Sequence, residues 1–371
     1  MREIGAQELK QKLEEDQGVE IVDIREAAEF EDWHIQGSRN VPVYDALKSR
    51  RDEELLERAA TLPRDRPIVT VCRGGIVSRK AAQLLCSLDY DASSLAGGIR
   101  GWGQVWSEAA IDCGAGVTFV QIRRNSKGCL SYLFGAGGEA IVVDPSVSCS
   151  AYLDIAERAK LKIVRVLETH VHADHVSRAR ELCSITDASL TMLPNQRVTY
   201  PITTMADGER IRVGGVTVEA IATPGHTFES ACYLVNETVL LTGDTLFVDG
   251  FGRPDLERGD AGAEAGARAL FGSLRERLFG RFEEMRFYPT HHGKPIGFDR
   301  TAIGASLSDV RRGSAGLLAK DEQTFVDGIL TRLQAKPPNH EAIISINEGR
   351  ADPGGIDVLD LEAGPNRCAA G

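Results

Sequence analysis

Seven consecutive residues, Thr169-His-Val-His-Ala-Asp-His175, hold three histidines and an aspartate. Imidazole nitrogens and a carboxylate brought together suit zinc, iron or manganese. The run follows Lys162-Ile-Val-Arg-Val-Leu-Glu168, an apolar stretch rich in β-branched residues that predicts a buried strand. At a strand end His170 and His172, two apart, point the same way, and Asp174 and His175 follow in the turn. Three more predicted strand ends extend the set. Val216-Thr-Val-Glu-Ala-Ile-Ala222 runs into Thr223-Pro-Gly-His226, Val239-Leu-Leu-Thr-Gly-Asp244 ends in an aspartate, and Arg286-Phe-Tyr-Pro-Thr-His-His292 ends in a histidine pair. Of the 8 histidines, those at 170, 172, 175, 226, 291 and 292 fall in these motifs, whereas a solvated surface would scatter them.

A second chemistry lies earlier, at Cys72-Arg-Gly-Gly-Ile-Val-Ser78. A cysteine closes the predicted strand Pro67-Ile-Val-Thr-Val71, a glycine pair follows, and a helix begins near Ser78. Backbone N–H groups of such a loop can turn inward and form an anion site, which favours a thiolate or a bound persulfide on the cysteine.

The elements that must position these groups are legible in outline. Residues 1–112 alternate strand and helix: Val19-Glu-Ile-Val-Asp-Ile24 and 67–71 as strands, 7–15 and 78–88 as helices. Such alternation implies a parallel sheet covered by helices, an α/β domain. Asp112-Cys-Gly-Ala-Gly116 predicts a short linker over 113–116 with turn-forming glycines. Three successive strands are then predicted at Val117-Thr-Phe-Val-Gln-Ile-Arg123, Leu130-Ser-Tyr-Leu-Phe134 and Ala140-Ile-Val-Val-Asp144, with amphipathic helices over 263–279 and 323–334. From Ala351 to Gly371 glycine, proline and acidic residues predict a weakly ordered tail.

With the motifs in view, H-x-H-x-D-H, the later Gly-His226, the Gly-Asp244 and the final His291 stand in the order of the metallo-β-lactamase superfamily, and the resemblance covers residues 117–350. It implies two sheets packed face to face with helices outside, an αββα sandwich. The first segment resembles a rhodanese domain through Val22-Asp-Ile-Arg25, Glu29-Phe-Glu-Asp-Trp-His-Ile-Gln-Gly37, Asn40-Val-Pro42 and Leu95-Ala-Gly-Gly-Ile-Arg-Gly-Trp102. That resemblance implies that Cys72 carries a sulfane sulfur, with Arg73, Gly74, Gly75, Ile76 and Val77 forming its binding loop. Many single-domain rhodaneses close this loop with an arginine where Val77 stands here, which points away from thiosulfate and towards a bulkier organic persulfide.

The metal motif is compatible with two families. A binuclear hydrolase resembling glyoxalase II would hold one ion with His170, His172 and His226 and a second with Asp174, His175 and His291, Asp244 bridging. It would be a di-zinc thioester hydrolase with an attached sulfurtransferase. Persulfide dioxygenases instead use a face equivalent to His170, His226 and Asp244 for one Fe(II) per chain, with His172, Asp174, His175 and His291 retained around it. The flanks resemble the second family. Thr242-Gly-Asp-Thr-Leu-Phe-Val-Asp-Gly-Phe-Gly-Arg-Pro-Asp-Leu256 matches the stretch around its iron aspartate, and Lys336-Pro-Pro-Asn-His340 matches its C-terminal stretch. By that match Arg253 should face the substrate carboxylates and Asp255 should brace the loop. Persulfide dioxygenases often read A-H-D-Y where this chain has Thr290-His-His-Gly293, so the tyrosine that contacts glutathione is missing. Glutathione, coenzyme A and cysteine therefore stay open as carriers of the persulfide. The expected partners are that persulfide, O₂, and sulfite or thiosulfate.

Composition sets the outer limits. The 371 residues allow two or three domains, and 42% hydrophobic with 26% charged residues is ordinary for a globular chain. A net charge of -11 with no basic tract argues against a nucleic acid partner. No apolar run approaches the ~18 residues of a membrane span, and the amino terminus has no signal-peptide core, so a cytoplasmic location without membrane attachment is expected. The 8 cysteines form no C-x-x-C pair and read as ordinary reduced residues apart from Cys72. Assembly as a homodimer is left open.

Overall fold

The computed structural model describes residues 2–282, 284–313, 321–362 and 367–370. Its first sheet has five strands in the order Glu3–Ile4, Ala92–Leu95, Ile68–Val71, Glu20–Asp23 and Arg39–Asn40. Every pairing in it is parallel. Ile68–Val71 is buried along its whole length, as a central parallel strand with both faces covered must be. Helices Tyr44–Lys48, Glu53–Ala59 and Ile76–Ser87 cover one face, and Ala6–Glu14 with Trp102 covers the other.

The rest of the chain is a sandwich. A seven-stranded sheet runs Thr203–Thr204, Ser189–Met192, Lys162–Leu167, Glu139–Val143, Cys129–Ala136, Thr118–Arg124, Ser107–Ala110. A six-stranded sheet runs Arg210–Val213, Val216–Ala222, Ala231–Val235, Val239–Gly243, Arg286–Pro289, Ala305–Ser306. Successive side chains of a strand face opposite ways, so each strand feeds two layers. Leu130, Tyr132 and Phe134 meet Val216, Val218 and Tyr233 between the sheets. Leu133 points outward to the helices Cys149–Arg158 and Ala179–Thr186, while Cys232 and Leu234 face Gly259–Gly272 and Glu322–Leu330. Each fully buried apolar side chain of this kind contributes about 1.5–3 kcal/mol. The αββα order expected from the sequence is the one observed.

Three sequence expectations differ. The sequence places 107–110 in the first segment, but Ser107–Ala110 pairs antiparallel with Thr118–Arg124 as the edge of the seven-stranded sheet. The helix expected over 263–279 starts at Gly259, and its last part, Ser273–Phe279, widens to a π-helix. The tail expected to be weakly ordered packs where it is described. Val358–Leu361 is helical, Glu362 is buried, and Ala369–Ala370 pairs with Gly250–Gly252. Composition missed this because partners such as Arg124, Val176 and Gly252 lie over a hundred residues earlier. Among the described residues no helix is long and apolar enough to cross a membrane.

Candidate metal centre

Every donor singled out in the sequence stands just beyond the carboxyl end of a strand. His170, His172, Asp174 and His175 follow Lys162–Leu167, His226 follows Val216–Ala222, Asp244 follows Val239–Gly243, and His291 follows Arg286–Pro289. The sheets bring these four ends together, and all seven side chains are buried. Gly225 makes one of the turns possible: its φ is +152°, and a Cβ there would lie 2.5 Å from Leu270.

Hydrogen bonds fix which ring nitrogens are left bare. Thr169 donates its single hydroxyl proton to Asp144 at 2.9 Å, so its lone pairs accept the Nδ1–H of His170, also at 2.9 Å. His226 Nδ1 lies 2.8 Å from the carbonyl oxygen of Arg253, which can only accept. Asp244 Oδ1 accepts from His291 Nδ1 at 2.6 Å. The remaining atoms, His170 Nε2, His226 Nε2 and Asp244 Oδ2, have no hydrogen-bond partner among the described residues. The two nitrogens stand 3.6 and 3.5 Å from that oxygen. One orphaned buried polar atom costs about 1–3 kcal/mol, so three converging on one space call for a cation. Their separations suit donors that each sit about 2.0–2.2 Å from one metal ion.

The other histidines are engaged differently. His172 Nε2 sits between two buried carboxylates, 3.2 Å from Asp144 and 3.0 Å from Glu168, while its Nδ1 is unpartnered among the described residues. His291 spans two acids: its Nδ1 holds Asp244, and its Nε2 lies 3.0 Å from Asp174. His175 Nδ1 is 3.0 Å from Asp174. Cys129, absent from the sequence-based set, joins this group with its Sγ 3.5 Å from Asp174 Oδ2 and 3.9 Å from His175 Nδ1. Cys129, Asp174, His175 and His291 thus form a second donor set beside the first.

The electrostatics divide the same way. Burial holds His170 well below the usual histidine range and lowers His226 as well, which keeps both rings neutral and able to donate a lone pair. Burial also disfavours charge on His172 and His291, but the flanking carboxylates outweigh it and raise both well above that range. The Asp244 carboxyl is held far below its ordinary value: burial opposes ionisation, and His291 and His170 overcome it. Burial and Asp174 push the Cys129 thiol up, yet His175 and His291 bring it down to about 7.

Beyond the donors a cavity of about 190 Å³ opens to solvent, lined by Phe247, Val248, Asp249, His291, His292 and Lys294 among others. Gly293 lies here, and a Cβ on it would meet nothing within 4 Å. Arg253 does not face this cavity, contrary to the sequence expectation. It is 1% exposed and clamped to Asp255 at 2.8 and 3.0 Å. Its other guanidinium N–H groups donate to the carbonyls of Gln334, Ala335 and Arg367. Its role is structural, tying the tail to the turn whose carbonyl orients His226. Asp255 does brace the loop, as expected.

The Cys72 loop lies in the first sheet's layer, away from these donors. The Cys72 Sγ accepts N–H bonds from Gly75 at 3.2 Å and Ser78 at 3.3 Å, so the loop is the inward cradle foreseen. Gly75 has φ +82°, and a Cβ there would sit 2.9 Å from Gly97 N. Gly74 is exposed, Val77 is half-buried, and Ile76 is 71% exposed on the rim. Arg73 turns aside to pair with Glu29 at 2.6 and 2.7 Å and to cover the Tyr44 ring.

Sequence reasoning passed over Asp144, Glu168, Cys129 and Cys368. The first two end or follow predicted strands, and an acid at a buried strand end was an available signal. Cys129 is brought in by a bridge to His291, and Cys368 by the returning tail, so neither carried a local signal.

Comparison with known proteins agrees with this geometry. Residues 5–104 match the rhodanese-like domain and residues 126–292 the metallo-beta-lactamase superfamily. The mitochondrial persulfide dioxygenase ETHE1 of Mus musculus is 28% identical over 190 residues, 49% of this chain and 72% of that protein. A hydroxyacylglutathione hydrolase of Acidiphilium cryptum is 30% identical over 184 residues, 49% of this chain and 75% of that protein. The crystal structure of ETHE1 from Myxococcus xanthus aligns with TM-score 0.55 and 27% identity, covering 63% of this chain and 99% of that one.

Proposed function

The chain belongs to the metallo-beta-lactamase superfamily and carries a rhodanese-like domain in front of it, and from that premise we propose that it is a non-haem iron persulfide dioxygenase joined to a sulfurtransferase. The reaction is R–S–SH + O₂ + H₂O giving R–SH + HSO₃⁻ + H⁺. The observation that carries this reading is the convergence of three unpartnered donors, His170 Nε2, His226 Nε2 and Asp244 Oδ2, in one group that does not include His172, whose Nε2 is held by Asp144 and Glu168. A two-histidine, one-carboxylate face is the donor set of non-haem iron(II) oxygenases, so His170, His226 and Asp244 would hold iron(II), which would supply redox chemistry for a thiolate and O₂.

This chain's own residues supply the rest. Thr169 and the Arg253 carbonyl hold the two imidazoles in one tautomer, so no proton must leave before they donate. The persulfide enters through the cavity beside Phe247, its terminal sulfur towards the donors and its charged tail towards Lys294 and His292. Placing the reacting groups side by side removes most of the encounter cost. In the first domain, the Cys72 thiolate attacks the outer sulfur of R–S–SH. The old S–S bond breaks, R–S⁻ leaves, and Cys72 holds the sulfane sulfur in the Gly75 and Ser78 N–H cradle. Sulfite can then take that sulfur as thiosulfate.

The hydrolase reading keeps one specific observation: the second donor set of Cys129, Asp174, His175 and His291 is complete. Metal analysis of anaerobically purified protein decides between the two. About one iron per chain, with O₂ consumed only when a persulfide is added, is the expected result. About two zinc ions per chain with thioester hydrolysis and no O₂ uptake would overturn it.

A further inference from the structure

The chain from 168 to 178 is neither helix nor strand, yet residues 169–176 are buried. Its backbone amides and carbonyls must therefore find partners outside any ladder. At the start of this loop two carboxylates serve. The Thr169 N–H donates to Asp144 at 2.7 Å and the Val171 N–H to Glu229 at 3.2 Å. From His172 onward the partners come from a segment 170 or more residues later. The Val176 N–H donates to Glu362 at 2.9 Å, and three further groups converge on one side chain, Asn347.

Asn347 is the last residue of the helix His340–Asn347 and is buried. Its Nδ2 donates to the His172 carbonyl and to the His175 carbonyl, both at 2.8 Å. Its Oδ1 accepts the Ser177 N–H at 2.9 Å. A flipped amide would set Oδ1 against two carbonyl oxygens and Nδ2 against an N–H, so one orientation satisfies all three groups. An aspartate has no such donors, and a glutamine carries the same amide one methylene further out. The helix is seated by Ile343 and Ile346, which pack with Val176 and Leu361. The Tyr200 hydroxyl holds its end by donating to the Asn347 carbonyl at 2.8 Å.

The turn closed in this way carries Asp174, whose Oδ2 lies 3.0 Å from His291 Nε2. His291 Nδ1 holds Asp244 Oδ1 at 2.6 Å. The other oxygen of Asp244 is the one that meets His170 Nε2 and His226 Nε2. A shift of the turn therefore moves Asp174, then His291, then the carboxylate of the donor face. Groups behind the ligands commonly tune a metal site in this manner.

We propose that Asn347 is a positioning residue of the metal centre. It grips the His172–His175 turn from behind and, through Asp174 and His291, sets the direction of the Asp244 donor oxygen. The role rests on the three-donor centre described above and not on which reaction that centre carries out.

The test uses the full-length protein prepared without metal, iron(II) as the probe and a chromophoric chelator as competitor. Asn347→Leu keeps a branched side chain and removes all three hydrogen bonds. It should weaken iron(II) binding by about 10- to 100-fold, the range typical of groups that orient ligands. One equivalent of cobalt(II) reads the geometry, because its visible absorption bands shift when donors move, and the bands of this variant should differ from those of wild type. Tyr200→Phe is the matched control. It loosens the same helix end and leaves the amide on the turn, so unfolding free energy should fall while iron(II) affinity stays within about twofold of wild type. Asn347→Ala, which leaves room for water at the carbonyls, carries the test with the same expected loss should Asn347→Leu fail to fold. Iron(II) affinity within about twofold of wild type and an unchanged cobalt spectrum in a folded Asn347 variant overturn the proposal. An equal loss of affinity in Tyr200→Phe overturns it too, since general packing of the helix would then account for the effect. If affinity falls as expected while wild type shows no persulfide-dependent O₂ uptake, the functional reading fails and the positioning role stands.

Discussion

Two cysteines with similar burial show how differently the two halves of this chain build chemistry. Cys72 sits in a single seven-residue loop, and the Gly75 and Ser78 N–H groups that bond its sulfur are within six residues of it. Cys129 sits among Asp174, His175 and His291, which arrive from two other strand ends. The first environment is made by backbone amides and needs only a strand, a left-handed glycine and a helix start. The second is made by side chains and exists only once two sheets have packed. A local cradle should therefore tolerate changes elsewhere, while the assembled centre should fail when any supporting segment is lost.

The largest expected effect tests the assembled side. Asp244→Ala removes one of three donors and leaves His291 without its acceptor, so metal affinity should fall by more than about 100-fold, beyond the range typical of supporting residues. Iron content after dialysis measures this, and retention of one iron per chain would break the mononuclear assignment. His175→Ala is the sharpening control, because it should keep iron.

Next in size is Arg253→Ala. The sequence match placed this side chain on the substrate, which predicts a raised KM in a stable protein. The structure places it in a buried pair with Asp255, whose carboxylate would keep only the distant Lys336 at 3.9 Å, so unfolding free energy should drop by about 3 kcal/mol. Denaturant unfolding at fixed metal loading distinguishes the two. A stable variant changed only in KM would return Arg253 to the substrate.

Cys72→Ser should abolish sulfur transfer between persulfide and sulfite while leaving O₂ uptake within about a factor of two, since ~0.4 kcal/mol is all that such a ratio represents. Loss of O₂ uptake with iron still bound would show that the local cradle is not independent of the metal centre.

The smallest effect concerns the pair that draws Arg73 aside. The Arg73 hydrogen bond holds the Glu29 carboxyl below its ordinary 4.5, against some burial. A depressed carboxyl contributes stability above that ordinary value and loses it as pH falls through the depressed one. Both partners are substantially exposed, so Glu29→Gln should cost less than about 1 kcal/mol at neutral pH. The difference from wild type should shrink as pH falls below 4.5 and vanish once pH passes below the depressed value. A cost that persists in acid would mean that the pair acts through packing.

The sequence by itself determined the Cys72 loop, the strand ends that carry His170, His226, Asp244 and His291, and the order of layers around them. The physical reason is periodicity and turn chemistry: buried strands announce themselves by apolar runs, and Cys-Arg-Gly-Gly announces its own turn. Bounds were accurate where both signals agreed, as in Val216–Ala222. Only the tertiary structure decided that Ser107–Ala110 joins the second sheet, since an edge strand of alternating small residues carries little hydrophobic signal. Only the tertiary structure decided that Arg253 is a bracket, because its partners include carbonyls at 334, 335 and 367 that no local pattern announces. The arrival of Cys129 beside His175 and the enclosure of a cavity between the domains were decided there as well. Both depend on which surfaces meet after each domain has formed, and packing of that kind leaves no periodic trace in the chain.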